Sequence, residues 1–273
     1  MNDFFLLMWK PLLACLILTG IHVYLGIHVI ERKVIFVDLA LAQIAALGAT
    51  ISFLFGFALH GPTTYWFSLT ATSLGAIIFS MTRTHREKVP QEAIIGIVYA
   101  VSAAAAVLIL SRAPEGDEHI RYILVGNVLL VTMPEIIKMA VLYSLVGILH
   151  WRFRNTFMLI STRPEEAFRK GLGVKWWDLI FYLTFGLVVT SSVQIAGVLL
   201  VFSFLIVPAV AAILFSENLA QRLTLGWSIG AGTSFIGIFL SYYFDLPTGA
   251  TIVCAFGGIL LLLAAFKILI QSK

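Results

Sequence analysis

The run VQIAGVLLVFSFLIVPAVAAILFS, residues 193–216, carries no charged side chain. It is longer than the roughly 20 residues a helix needs to cross the hydrocarbon core of a bilayer. Comparable apolar runs predict spanning helices at 4–30, 37–59, 64–81, 91–110, 134–149, 177–190, 195–215, 225–244 and 248–270. The composition agrees: 60% hydrophobic residues, 12% charged residues and a mean hydropathy of +0.99 over 273 residues exceed what a soluble core requires. The reading is an all-α, polytopic membrane protein with about eight or nine transmembrane helices. The first run contains an interior Lys10 and is far longer than a signal-peptide apolar region, so it reads as a retained span.

Shorter signals divide these runs. Segment 122–131 is apolar but too short to span, and it carries Gly126 and Asn127, which reads as a re-entrant or interfacial piece. Thr132 and Glu135 form a Thr-x-x-Glu capping pattern around Pro134 and mark a fresh helix start. Ser191, Ser192 and Gln194 interrupt the apolar pattern and predict a turn between two spans. Asp245, ahead of Leu-Pro-Thr-Gly, is suited to cap the last helix. Small-residue stretches at 102–106 and 230–232 read as close helix contacts.

The net charge of +4 could suggest nucleic acid, but the basic residues are spread among short loops between spans, so membrane topology explains them and no nucleic-acid partner is expected. Placing Arg32 and Lys33, 83–88, 152–175, Arg222 and the C-terminal tail on one side collects 14 of the 18 basic residues there, which makes that side cytoplasmic. The stretches 60–65, 112–121, 191–194 and 245–247 then face out. Nine spans put the N-terminus outside and eight put it inside. Cys15 and Cys254 both lie in apolar runs and form neither a disulfide framework nor a metal-ligand cluster.

The longest polar interruption is the loop 151–176, which carries STRPEEAFRKGLGVK at 161–175. Thr162 and Glu165 repeat the capping pattern, Pro164 suits a first helical turn and Gly171 is a natural stop, so a helix of about two turns is predicted. So short a helix needs packing to hold it, and Phe168 and Leu172, spaced i and i+4, offer the apolar contact.

Absent motifs narrow the function. There is no G-x-x-x-x-G-K-[ST] loop, no H-E-x-x-H pair and no G-x-S-x-G elbow, and no span carries paired acidic residues that would suggest intramembrane hydrolysis. An enzyme reading has little support, and any ATP must be hydrolysed by another chain. Three readings remain: an ATP-driven permease, a secondary transporter driven by an ion gradient, and an uncoupled channel or scaffold. The second would need acidic groups at mid-membrane, of which there are few.

The runs at 193–216 and SYYFDLPTGATIV at 241–253 resemble the permease subunit of ABC-type zinc, manganese and iron uptake systems. Further stations of the resemblance are ERKVIFVDLALAQIAALG at 31–48, QEAIIGIVYA at 91–100, YILVGNVLL at 122–130 and PEEAFRKGLGV at 164–174. It covers nearly the whole chain and implies one permease domain, 1–273, with a cytoplasmic coupling loop at about 156–176. It also implies a homodimer in the bacterial or archaeal cell (inner) membrane, embedded in lipid, with cytoplasmic ATPase subunits and an extracytoplasmic metal-binding protein. No permanent cofactor is expected; the divalent metal is cargo, and ATP acts on the partner. In that scheme the 162–172 helix enters a cleft on the ATPase. Ala167 and Gly171 permit close approach, Phe168 fills a pocket, and Glu165, Glu166, Arg169 and Lys170 form an ionic rim. The alternative is a helix lying on anionic lipid.

The metal route departs from the resemblance. Many such permeases place an Asp and a His four residues apart in the second helix; alignment on Gly48 puts Leu39 and Gln43 there. Gln43 offers a carbonyl oxygen, a poorer zinc ligand than imidazole. Asp38 lies five residues before it, about 140° around an ideal helix. His22, deep in the first run, is the other intramembrane candidate, so the transit path is read as His22, Asp38 and Gln43. His28, six residues from His22 and about 120° away, shares no face with it. The bland alternative for each histidine is a hydrogen bond within the bundle. Glu92, behind Pro90, reads as an acid suited to a helix N-terminus.

Overall fold

The computed structural model describes residues 2–58, 61–82, 89–111 and 124–271. Leu59, His60, the basic stretch 83–88, the loop 112–121 with Tyr122 and Ile123, and Lys273 lie outside the described residues. Ten α-helices follow one another, with no strand among the described residues: α1 (Asn2–Glu31), α2 (Val37–Leu54), α3 (Pro62–Thr82), α4 (Gln91–Leu110), α5 (Met133–Arg152), α6 (Arg154–Thr162), α7 (Pro164–Arg169), α8 (Val174–Phe215), α9 (Leu219–Phe244) and α10 (Thr248–Gln271). A single 3-10 turn, Val128–Leu130, precedes α5.

Among the described residues, seven helices are long and apolar enough to cross a membrane: α1, α2, α4, α5, α8, α9 and α10. Helix α3 and the division of α8 bring this to the eight or nine expected from sequence. Helix α3 exists, but its threonines and serines keep it off the apolar set; Thr64, Ser68, Thr72 and Ser80 are all buried. The expected spans 177–190 and 195–215 both lie within α8, as two helices that meet at a kink. A straight helix over the 42 residues of α8 would run about 63 Å, roughly twice the hydrocarbon thickness. The kink is at Gly197, with φ 75° and ψ 163°.

The turn expected at 191–194 is therefore absent. Ser and Thr need not end a helix, because their hydroxyls can bond a carbonyl one turn back. Ser192 Oγ donates to the Val188 carbonyl at 2.7 Å, and Thr190 Oγ1 donates sideways to Thr72 Oγ1 at 3.0 Å. The break falls instead where another backbone passes: a Cβ on Gly197 would overlap the main chain of Val125 and Gly126. Gly126 also has positive φ, and Asn127 N donates to the Ile195 carbonyl at 3.2 Å. The segment read as re-entrant thus has its backbone partly satisfied by the interrupted helix, which irregular chain at membrane depth requires.

The chain divides into two compact units. The first comprises Met1–Ile30, Leu124–Leu145 and Gln194–Lys273. In it Val23, Ile27 and Ala209 form a buried cluster with Ile30, Leu219 and Leu223 packed against it. Gly230 lies close to Thr19, as the small-residue pattern suggested, whereas Gly232 has open space. Phe4 meets the rings of Phe235, Phe239 and Tyr242, and Phe204 meets Phe256 edge-on at 5.0 Å. The second comprises Glu31–Ile123 and Val146–Val193, in which α2 packs on both α3 and α4. There Ile44 lies over Gly75, Thr72 over Gly186, and Gln91 Nε2 donates to the Phe79 carbonyl at 2.8 Å.

Capping separates the two Thr-x-x-Glu patterns. Glu135 reaches back to Thr132, accepting from its amide at 2.8 Å and its hydroxyl at 2.7 Å, so the start of α5 is capped as expected. Asp245, expected to cap the last helix, instead ends α9 in the left-handed conformation at φ 53°. Glu135→Ala should destabilise α5 by about 1 kcal/mol, read as a lower unfolding temperature in detergent, with Glu135→Gln recovering most of it.

Candidate functional site

The loop expected to hold one short helix holds two. Helix α6 was not anticipated; it forms because Phe157, Ile160 and Ser161, three to four residues apart, make a buried stripe while Arg154, Asn155 and Thr162 stay exposed. Thr162 belongs to the last turn of α6, where its hydroxyl donates to the Met158 carbonyl at 2.9 Å. The capping box predicted for Thr162 and Glu165 does not form, and Arg163 occupies the N-cap of α7 without a side-chain bond. Gly171 does stop the helix. At φ 69° it lets Leu172 N donate to the Ala167 carbonyl at 3.2 Å while its own amide donates to the Phe168 carbonyl at 3.0 Å, the paired bonds of a Schellman end.

Helix α7 is seated on its own loop. Ile160, Ala167 and Val174 are buried together, with Leu159, Phe168, Leu172 and Trp177 packed against them. Ala167 therefore lies on the inward face of α7. Phe168 is half-buried in the same cluster. The outward face carries Glu165, Arg169, Lys170 and Gly171, all exposed. Glu166 lies between Lys170 at 2.7 Å and Arg163 at 3.5 Å. The Lys170 hydrogen bond and charge hold its carboxyl below the usual glutamate range.

Beneath α6 is a buried polar cluster that sequence reading missed. Arg32, in the turn after α1, donates from Nε to Ser161 Oγ at 2.9 Å and from Nη1 to Asp178 Oδ1 at 2.5 Å. Both side chains of the ion pair are essentially inaccessible, at 1% and 0%. The guanidinium also lies over the Phe181 ring, 3.9 Å from its centroid. Alongside, His150 stacks on Phe157 at 4.3 Å and meets Thr184 Oγ1 at 2.9 Å. The Thr184 hydroxyl also lies within hydrogen-bond distance of the Ile180 carbonyl at 2.8 Å and the Phe181 carbonyl at 3.0 Å. One arginine thus joins the α1–α2 turn, the end of α6 and the first turns of α8. A charge buried in an apolar chain is the signal that could have drawn attention to Asp178.

Of the predicted metal-path residues, His22 belongs to the first unit and Asp38 and Gln43 to the second. No group of three or more His, Cys, Asp or Glu able to hold a metal occurs among the described residues. His22 is fully buried, its Nδ1 2.8 Å from the Leu18 carbonyl and its ring edge-on to Tyr143. His28 packs edge-on to Tyr24 at 4.6 Å. Gln43 and Asp38 are both buried on α2. Oδ1 of Asp38 has no hydrogen-bond partner.

The comparisons with known proteins agree with this architecture. The ABC 3 transport family matches residues 5–267. The manganese transport system membrane protein MntC of Listeria monocytogenes is 28% identical over 230 residues, 84% of this chain and 79% of that protein. A Haemophilus influenzae membrane protein named for iron transport is 30% identical over 166 residues, so that the match spans 61% of either chain. Among solved structures, PsaBC from Streptococcus pneumoniae in complex with Fab shares the fold with a TM-score of 0.79 at 20% identity, over 96% of this chain and 94% of that one.

Proposed function

Since the chain belongs to the ABC 3 transport family, we propose that it is the membrane-spanning subunit of an ATP-driven importer of a divalent metal, manganese, iron or zinc. Relatives named for manganese and iron transport support the substrate class. It is an integral membrane protein, and the ATPase is a separate cytoplasmic chain. A homodimer of this permease domain and an external metal-binding protein complete the assembly. The observation that carries the coupling role is the seating of α7. Its inner face is fixed to α6 and α8 through Ala167, Ile160 and Val174, and its outer face leaves Glu165, Arg169 and Gly171 exposed.

A helix held in this way can move the spans. Displacement of α7 is passed through α6 to Ser161, then to Arg32 in the α1–α2 turn and Asp178 in α8. The buried, charge-assisted pair resists slippage, because separating it would leave ions in a dry site. Two measurements test the proposal. Reconstituted with its ATPase and ATP, the protein should accumulate Mn2+, Fe2+ or Zn2+ in the transport direction, and without the ATPase it should not. Uphill transport by the permease alone would remove the ATP-driven reading. In the second, Glu165→Arg combined with Arg169→Glu should lower recovery of the ATPase complex at least about tenfold, as expected for charges at a docking rim. The unfolding temperature should stay unchanged, because both side chains are exposed. Full recovery of the complex from that variant and from Phe168→Asp would take the docking role away from α7.

A further inference from the structure

Asp38 and Glu92 sit in the first turns of α2 and α4, two helices that pack directly on one another. The Phe36 amide, at the N-cap of α2, donates to Glu92 Oε1 at 3.0 Å, which ties the glutamate to the start of the helix that carries Asp38. Phe36 is two residues before Asp38, so this bond brings the Glu92 carboxyl to the first turn of α2. Asp38 is only 2% exposed. Each residue keeps one buried oxygen without a hydrogen-bond partner, Oδ1 of Asp38 and Oε2 of Glu92. An unsatisfied buried carboxylate oxygen is costly, and two of them near one another add mutual repulsion.

A helix N-terminus relieves only part of this. Two such ends supply about half a positive charge each against two carboxylates, leaving roughly one net negative charge. Arg32, six residues before Asp38, is already committed to Asp178 and Ser161. What would complete the pair is a small cation with a preference for oxygen ligands. Carboxylate and water ligands suit Mn2+, Mg2+ and Ca2+, and a two-carboxylate site with waters filling the remaining positions is a weak, open one. Such a site suits a station that must release its ion.

Resting on the import reading above, we propose that Asp38 and Glu92 form an oxygen-donor station for the transported divalent cation, of the Mn2+ class, at the mouth of α2 and α4. The N-terminal ends of these helices follow the Arg32–Lys33 and 83–88 stretches of sequence, so by the distribution of basic residues this is the cytoplasmic mouth, where cargo leaves. The station does not use the Leu39 and Gln43 positions at which related permeases carry their Asp and His. It accounts for an acid one residue away from that position, on a different face of the same helix.

The test is Mn2+ binding to the purified, full-length permease in detergent, without the ATPase, followed by loss of the free aqueous Mn2+ signal in electron paramagnetic resonance. The wild-type protein should bind Mn2+, and Asp38→Asn and Glu92→Gln should each weaken binding at least about tenfold, about 1.4 kcal/mol, with the double variant little worse than either. Glu92 is half-buried, so Glu92→Gln keeps the test decisive if Asp38→Asn does not fold. Wild-type protein that binds no Mn2+, or a folded Glu92→Gln variant that binds within about twofold of wild type, overturns the station; in the latter case the two acids share a proton instead. Uptake separates the two ideas. If wild-type protein with its ATPase imports no divalent metal, the import reading fails whatever the binding result. If import is intact and the variants bind Mn2+ normally, only the station fails.

Discussion

Asp178→Ala should be the most damaging single substitution in the buried polar cluster, lowering the free energy of unfolding by about 3–5 kcal/mol. The size follows from what stays behind. Arg32 would keep its Ser161 contact and the Phe181 face but lose the only carboxylate that the ion pair supplies. A guanidinium cannot shed its proton to escape, so it must either remain charged in a dry site or drag the α1–α2 turn toward water. Asp178→Asn, which keeps shape and an acceptor, should fall between the two. The diagnostic result is the double variant Arg32→Met with Asp178→Leu. Removing both charges should recover most of the loss, because a buried pair exchanged for apolar groups of similar volume is often neutral. Denaturant or thermal unfolding in detergent reads all four proteins. A loss below about 1 kcal/mol for Asp178→Ala would mean that the pair is solvated like a surface bridge.

Gly197→Ala is the second large effect, expected to cost about 2–4 kcal/mol from strain and a lost hydrogen bond together. Two separate penalties act at the position. Its φ of 75° with ψ of 163° is a conformation that L-residues scarcely adopt. Its missing Cβ is the space through which the Val125–Gly126 backbone passes, so that segment would have to withdraw and surrender the bond from Asn127 N to the Ile195 carbonyl. Gly126→Ala should have a similar effect, since it meets the same contact from the other side with φ 63°. The two together should cost less than their sum, as both relieve one contact. Gly232→Ala serves as the control. It lies in a helix with open space around it, and its unfolding temperature should be unchanged or slightly higher. If Gly197→Ala matched that control, the break in α8 would be an incidental bend and not a fixed crossing of backbones.

Which parts of this were legible beforehand depends on the range of the interaction. The long apolar runs announced the spanning helices, since a window of apolar residues long enough to cross a bilayer is a local property of the chain. Gly171 announced the end of α7, and Thr132 with Glu135 announced the start of α5, because each device lies within about one helical turn. The same reasoning failed at Thr162, although the pattern was identical, because the residue was already inside a preceding helix. Helix α6 is defined by the burial of Phe157, Ile160 and Ser161, and nothing within the loop says what those residues pack against. Ser191, Ser192 and Gln194 read as a turn for a related reason. Polar side chains look like an interruption until the carbonyls that accept their hydrogen bonds are known.

The stretch 193–216 thus fixed a membrane-spanning helix by itself, because crossing a hydrocarbon layer requires only that consecutive side chains be apolar and that the backbone satisfy its own hydrogen bonds. Tertiary structure alone decided that it parts from the preceding helix at Gly197, where a second backbone needs the space. It also decided that Arg32 pairs with Asp178 across 146 residues and that Glu92 comes to the Phe36 amide at the start of α2. Partners so far apart in sequence are chosen by packing, and packing is a property of the whole fold.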